Sequence, residues 1–268
     1  MRVKMIAGNW KMFHGGAKAA DFVNRLEAWL SSTSAGEKAK KALDRRLIEV
    51  VIAPPFTSIA AAVAAKKSNA IMIASQNVYF EEKGAFTGEV SVPMLEEAGC
   101  RYAIIGHSER RHVFGEDDDL LAKKLSAVLH SSLSPVFCVG ELLQDRESGK
   151  TKDVLSVQLG KAWAGASDND LIRDKLTIAY EPVWAIGTGK TASNHDAEEA
   201  CAFIRAKAAE RFGKAVSESV RILYGGSVKP ENSAGILSQP NVDGLLIGGA
   251  SLEVDSFSRI IESAIPNN

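Results

Sequence analysis

The chain has 268 residues, of which 46% are apolar, 24% charged and 7% aromatic, a globular profile that excludes disordered and collagen-like classes. Its 32 Lys and Arg against 33 Asp and Glu leave a net charge of −1, which excludes a large basic field for nucleic acid. No apolar run reaches the ~18 residues of a bilayer span, and the first eight residues hold too short an apolar stretch for a secretory leader.

Eight short runs rich in Val, Ile, Leu and Ala follow one another along the chain, at 3–7, 49–53, 70–74, 102–105, 135–139, 176–180, 220–224 and 242–247. Their lack of polar alternation predicts strands covered on both faces, as in a parallel sheet. Helical patterns fill the intervals. An Ala-rich stretch covers 57–67, Asp117-Asp118-Asp119 opens one to 131, Asn194 with Asp196 and Glu198 opens one to 212, and a last one covers 253–264. Eight strand–helix alternations predict a single-domain (β/α)8 barrel spanning 1–268, with a doubly wound open sheet as the competing α/β arrangement. There is no composition shift that marks a linker. The charged stretch 31–46 reads as a lengthened first helix or a surface loop.

Polar and Gly-rich residues fall directly after the strand runs, where a parallel barrel gathers its functional loops on one rim. Asn9, Trp10 and Lys11 follow the first run, His107 the fourth, Glu181 the sixth, Gly225-Gly226-Ser227 the seventh and Gly248-Gly249 the eighth. The two glycine pairs suit a phosphate cradle, because glycine admits close backbone approach and a following short helix offers N–H donors; tight turns would explain either pair alone. Gly189-Lys190-Thr191 ends like a nucleotide P-loop, but Trp184 stands where that motif needs a glycine, so nucleoside triphosphate binding is rejected. Residues 182–190, with a Pro-Val-Trp start, the apolar pair Ala185-Ile186 as a tip and a Gly-Thr-Gly-Lys end, suit a lid.

From the residues alone, Glu181 is a base in a dry pocket or a rim ion pair, His107 a group facing the pocket mouth or a structural histidine. Lys11 is an anion clamp or a solvated cation. The acidic run 116–119 reads as the first turn of a helix and not as a metal site. Cys100, Cys138 and Cys201 are scattered without CxxC spacing, as reduced thiols of a cytoplasmic protein.

The strings Gly8-Asn9-Trp10-Lys11-Met12, Gly84-Ala85-Phe86-Thr87-Gly88-Glu89, Gly106-His107-Ser108-Glu109-Arg110-Arg111, the run from Ala179 to Gly189, Tyr224-Gly225-Gly226-Ser227-Val228 and Gly248-Gly249-Ala250-Ser251-Leu252 resemble the triosephosphate isomerase family, in order and over essentially the whole chain. The resemblance implies a cofactor-free, metal-free isomerase of glycolysis and gluconeogenesis acting on a small triose phosphate. It implies Glu181 as base, a neutral His107 as hydrogen-bond donor, Lys11 and Asn9 around the substrate oxygens, and the backbone of Gly187, Ser227, Gly248 and Gly249 on the phosphate. Glu109 takes a supporting place beside Lys11, and Pro182, Val183, Trp184, Ala185, Ile186, Gly187, Thr188, Gly189 and Lys190 form the lid.

The resemblance also implies a homodimer, in which residues 76–91 insert into a second subunit with Phe86 and Thr87 at the tip; neither nucleic acid nor membrane is expected as a partner. Phe13-His14 departs from the family's usual small polar residue, and 31–46 runs longer and more charged than usual. Cys138 reads as a small core residue. The enzyme alternative, another phosphosugar isomerase, epimerase or aldolase, needs a lysine inside a strand or a metal-ligand cluster. A non-catalytic phosphate-binding barrel would most simply lack Glu181 or His107.

Overall fold

The strand runs become β1 (Lys4–Asn9), β2 (Ile48–Ala53), β3 (Ile71–Ser75), β4 (Tyr102–Ile105), β5 (Ser134–Val139), β6 (Thr177–Tyr180), β7 (Arg221–Tyr224) and β8 (Gly244–Ile247) in a computed structural model that describes residues 2–164, 166, 169–186 and 192–266. They pair in chain order, every pair parallel, and β8 closes on β1. The sheet is therefore a closed barrel, and the doubly wound alternative is set aside.

Alternation along each strand sorts the side chains into two cores. Met5, Ala7, Val51, Ala74, Tyr102, Ile104, Val136, Cys138, Ala179, Leu223 and Leu246 pack against one another in the lumen. Their neighbours in sequence, such as Ile6, Ile52, Ile73, Ile105, Phe137 and Ile178, pack outward under the helices. The lumen is thus filled and the functional groups are confined to its ends. At the amino end Glu49 accepts from Tyr102 Oη (2.7 Å) and pairs with Arg221.

Between the strands, in chain order, lie α1 (Gly16–Ser32), α2 (Ser34–Asp44), α3 (Phe56–Ala65), α4 (Val92–Glu97), α5 (Ser108–His112), α6 (Asp118–Leu129), α7 (Leu143–Glu147), α8 (Thr151–Ala164), α9 (Asn169–Lys175), α10 (Asn194–Phe212), α11 (Lys214–Ser219), α12 (Pro230–Leu237) and α13 (Val254–Ser263). Side-chain caps start several of them. Thr33 accepts from Gly36 N–H, Asp117 from Leu120 N–H, and Ser193 exchanges hydrogen bonds with Asp196 in a capping box.

Two expectations are corrected. Residues 31–46 are neither a longer first helix nor a loop: the chain breaks at Thr33 and α2 folds back on α1. Gly36, Ala39 and Ala42 form its buried stripe, and a Cβ on Gly36 would sit 1.9 Å from the Trp29 carbonyl oxygen. The acidic run 116–119 is also mixed. Asp117 caps α6 and Asp118 and Asp119 lie in its first turn, but Glu116 is buried. It pairs with Arg110 Nε (2.5 Å) and with the buried Lys124 Nζ (2.6 Å), which also donates to Asn77 Oδ1 (2.9 Å). A carboxylate removed from water is retained only with such partners. Among the described residues no helix is long and apolar enough to cross a membrane.

Candidate active site

β1 extends two residues further than the sequence pattern predicts, so Asn9 is its last residue and the chain turns immediately after it. Asn9 Oδ1 accepts the N–H of Lys11 (3.0 Å), whose backbone is left-handed (φ 52°). For a residue with a Cβ that conformation costs roughly 1–2 kcal/mol, so neighbouring contacts must hold it. Gln76, the first residue after β3, supplies two of them. Its Nε2 donates to the carbonyls of Lys11 (2.7 Å) and Ala53 (2.8 Å), bonds worth about 0.5–1.5 kcal/mol each. Lys11 Nζ then reaches Glu109 Oε1 at 2.6 Å, and its stem passes 3.6 Å from where a Cβ on Gly248 would lie.

β4 is followed by Gly106, which adopts φ 73°, and the next residue, His107, caps the short helix α5. Its Nδ1 accepts the N–H of Glu109 (3.2 Å), so the proton of a neutral ring belongs on Nε2. That nitrogen lies 3.0 Å from Glu181 Oε1. Burial opposes charge on the ring, but the Glu181 carboxylate, with Glu109 behind it, outweighs burial and holds the imidazole pKa above its usual value. The helix N-terminus therefore fixes the tautomer, while the facing carboxylate favours the imidazolium.

Glu181 follows β6 and is 2% exposed. Its N–H donates to Val139 O (2.8 Å), and its Oε2 accepts Ser108 N–H (2.8 Å). Two glycines make room for it. A Cβ on Gly140 would lie 1.7 Å from the Glu181 carbonyl oxygen, and one on Gly225 would lie 3.0 Å from its Cγ. Close approach, more than turn geometry, explains glycine at both positions. Cys138 lies beneath in the lumen core; burial, reinforced by the Glu181 charge, raises its thiol pKa and keeps it protonated.

Asn9, Lys11, His107, Glu181, Gly225 and Gly248 line one cavity of about 330 Å³ together with Ile186, Gly226, Ser227, Lys229 and Gly249. The structure brings Asn9, Lys11, His107, Glu181, Ser227, Gly248 and Gly249 to the same pocket from five different strand ends, with Glu109 against Lys11. Gly187, Thr188, Gly189 and Lys190 lie outside the described residues. The start of the expected lid is described. Val183–Ala185 form a 3-10 turn, Trp184 Nε1 donates to Glu141 Oε1 (2.9 Å), and Ile186 faces the cavity. Ala185 is fully buried, so it anchors this segment and is not part of an apolar tip. Phe86 and Thr87 stand exposed in the segment after β3, with the Phe86 ring 4.7 Å from that of Tyr79. Of the departing pair, Phe13 is 56% exposed, whereas His14 packs edge-on against Trp10 (5.2 Å) and contacts Leu252 O through Nε2 (2.9 Å).

Sequence reasoning missed Gln76, Ser108, Gly140 and Glu141. Glu141 is buried after β5 and joins Trp184 to Tyr180 Oη (3.1 Å). Its position two residues after the strand that ends at Val139 was the available signal.

The family model described as Triosephosphate isomerase matches residues 4–264. The chain belongs to that family. It is 48% identical to the triosephosphate isomerase of Geobacter metallireducens, over 97% of this chain and 98% of the relative. It is 46% identical to that of Carboxydothermus hydrogenoformans, over 99% of this chain and all of the relative, and 48% identical to that of Moorella thermoacetica, over 97% and 98%. The family's members are isomerases, and the barrel described above is the family's fold.

Proposed function

We propose that this cavity interconverts dihydroxyacetone phosphate and D-glyceraldehyde 3-phosphate by proton transfer through an enediolate. Glu181 takes a proton from the carbon bearing the hydroxyl, and His107 Nε2–H donates to the carbonyl oxygen as negative charge builds there. The same proton returns to the neighbouring carbon, while the hydroxyl hydrogen passes to the former carbonyl oxygen, so the reaction balances with no other reactant. Lys11 compensates the substrate charge, Asn9 orients its oxygens, and Ser227, Gly248 and Gly249 hold the phosphate.

The single observation that carries the reading is the 3.0 Å contact of His107 Nε2 with Glu181 Oε1 inside a small cavity that also holds Lys11. At that distance no substrate atom fits between the two groups. Glu181 must therefore leave the imidazole to reach a carbon, and its departure withdraws the contact that raises the His107 pKa. The ring then works as a neutral donor.

The enediolate can also expel the neighbouring phosphate, and segment 182–190 closing over the phosphate would disfavour that path. The same reading includes a homodimer. Met12, Phe13, Phe86, Val113 and Phe114 are exposed apolar side chains on segments that leave the carboxyl ends of β1, β3 and β4, a surface suited to a second copy of the chain.

A coupled assay with dihydroxyacetone phosphate in chelator-containing buffer tests the activity, with Glu181→Ala as its control. Turnover should fall at least about a hundredfold in that variant, the lower range for loss of a general base. A near-wild-type rate would remove Glu181 from the mechanism.

A further inference from the structure

We infer that Gln76 is a positioning residue for Lys11, a role that rests on the reading of Lys11 as the anion clamp. Gln76 does not line the cavity, yet its carboxamide nitrogen is the group that ties the carbonyl of the left-handed Lys11 to the end of a neighbouring strand. Both acceptors are carbonyl oxygens, Lys11 O at 2.7 Å and Ala53 O at 2.8 Å. Only the NH2 end of the amide can satisfy two carbonyls, so the side-chain orientation is fixed by chemistry. Ala53 O also accepts Trp10 N–H (3.1 Å), which makes the β2 end a fixed post for the whole turn.

The three polar contacts of Lys11 divide the work. Asn9 Oδ1 fixes its N–H, Gln76 fixes its C=O, and Glu109 takes the end of its side chain. Glu109 is 44% exposed and holds only the ammonium, so it does not determine the peptide conformation from which the stem projects. Without Gln76 the carbonyl can rotate and the residue can relax to negative φ, which swings the Cα–Cβ bond and carries Nζ away from the cavity. Displacement of a charged group by about 1 Å costs on the order of a hundredfold when that group acts on the reacting atoms.

The test compares Gln76→Met, close in size but without a donor, with Gln76→Glu, whose carboxylate faces the same carbonyls. In Gln76→Met, kcat/KM for the triose phosphate should fall about ten- to a hundredfold, mainly through KM, while the melting transition stays cooperative. Binding of inorganic phosphate should weaken as it does in Lys11→Ala. In Gln76→Glu the deficit against wild type at equal pH should shrink as pH falls, because a protonated carboxyl again donates to one carbonyl; this readout serves if the Met variant does not fold.

Kinetics within twofold of wild type in both variants would overturn the proposal. So would a loss that merely follows the folded fraction, or a Gln76→Glu deficit independent of pH. An inert wild type would instead refute the assigned reaction, and phosphate binding would still decide the place of Gln76.

Discussion

His107 is held by opposing influences, and their balance is measurable. Nδ1 accepts a backbone N–H at the start of α5, which keeps that nitrogen unprotonated in the neutral ring. Burial disfavours the imidazolium, and the Glu181 carboxylate, aided by Glu109, overrides it and raises the pKa. An unfolded histidine titrates near 6.5. A folded pKa above that value means this contact stabilises the protein fully below about pH 6.5, and the contribution is lost as pH rises through the folded value. In Glu181→Gln the carboxylate is gone and burial dominates, so the His107 titration followed by NMR should move down. An unchanged midpoint would show that Glu181 does not control the ring.

The turn after β4 and the helix it feeds are fixed from beneath by a buried ionic junction. Glu116 precedes α6, Lys124 lies on α6 two turns later, and Asn77 belongs to the segment after β3. Lys124 is 1% exposed, and burial depresses its pKa against the opposing pull of Glu116. Removing one partner of a buried pair leaves the other unpaired, at a cost of about 3–5 kcal/mol. Glu116→Gln should lose stability on that scale in urea unfolding, and adding Lys124→Met should recover much of it. A loss below about 0.5 kcal/mol, typical of surface changes, would show that the junction is not structural. The acidic composition of 116–119 was legible as a helix start, but nothing local separated Glu116 from the three aspartates. Its partners are Lys124, 8 residues ahead on α6, and Arg110 on α5. The stretch 31–46 hides its helix for a similar reason: charge dominates its composition, and only contact with α1 gives meaning to the small residues Gly36, Ala39 and Ala42.

At the scale of the whole molecule, several exposed apolar side chains stand on the segments that follow β1, β3 and β4. Met12 is 94% exposed, Val113 73% and Phe114 66%, and the strands whose ends carry them, β1 and β4, flank β2 and β3 in the barrel. Light scattering over a dilution series should give a particle of twice the 28.7 kDa chain mass, and Phe86→Asp should shift it toward the single chain. A wild-type monomer at all concentrations would refute the homodimer.

Hydrophobic pattern and chain order alone determined that eight buried strands alternate with helices, because a strand covered on both faces must be apolar at every position and leaves a run visible to inspection. They also placed Asn9, Lys11, His107 and Glu181 at strand ends, since each follows such a run directly. Closure of the sheet was decided only in three dimensions, by β8 pairing with β1. So were the contact of Glu181 with His107, the left-handed Lys11 and the double hydrogen bond from Gln76. Each of these is a distance between groups that barrel curvature brings together, and sequence spacing carries no record of that distance.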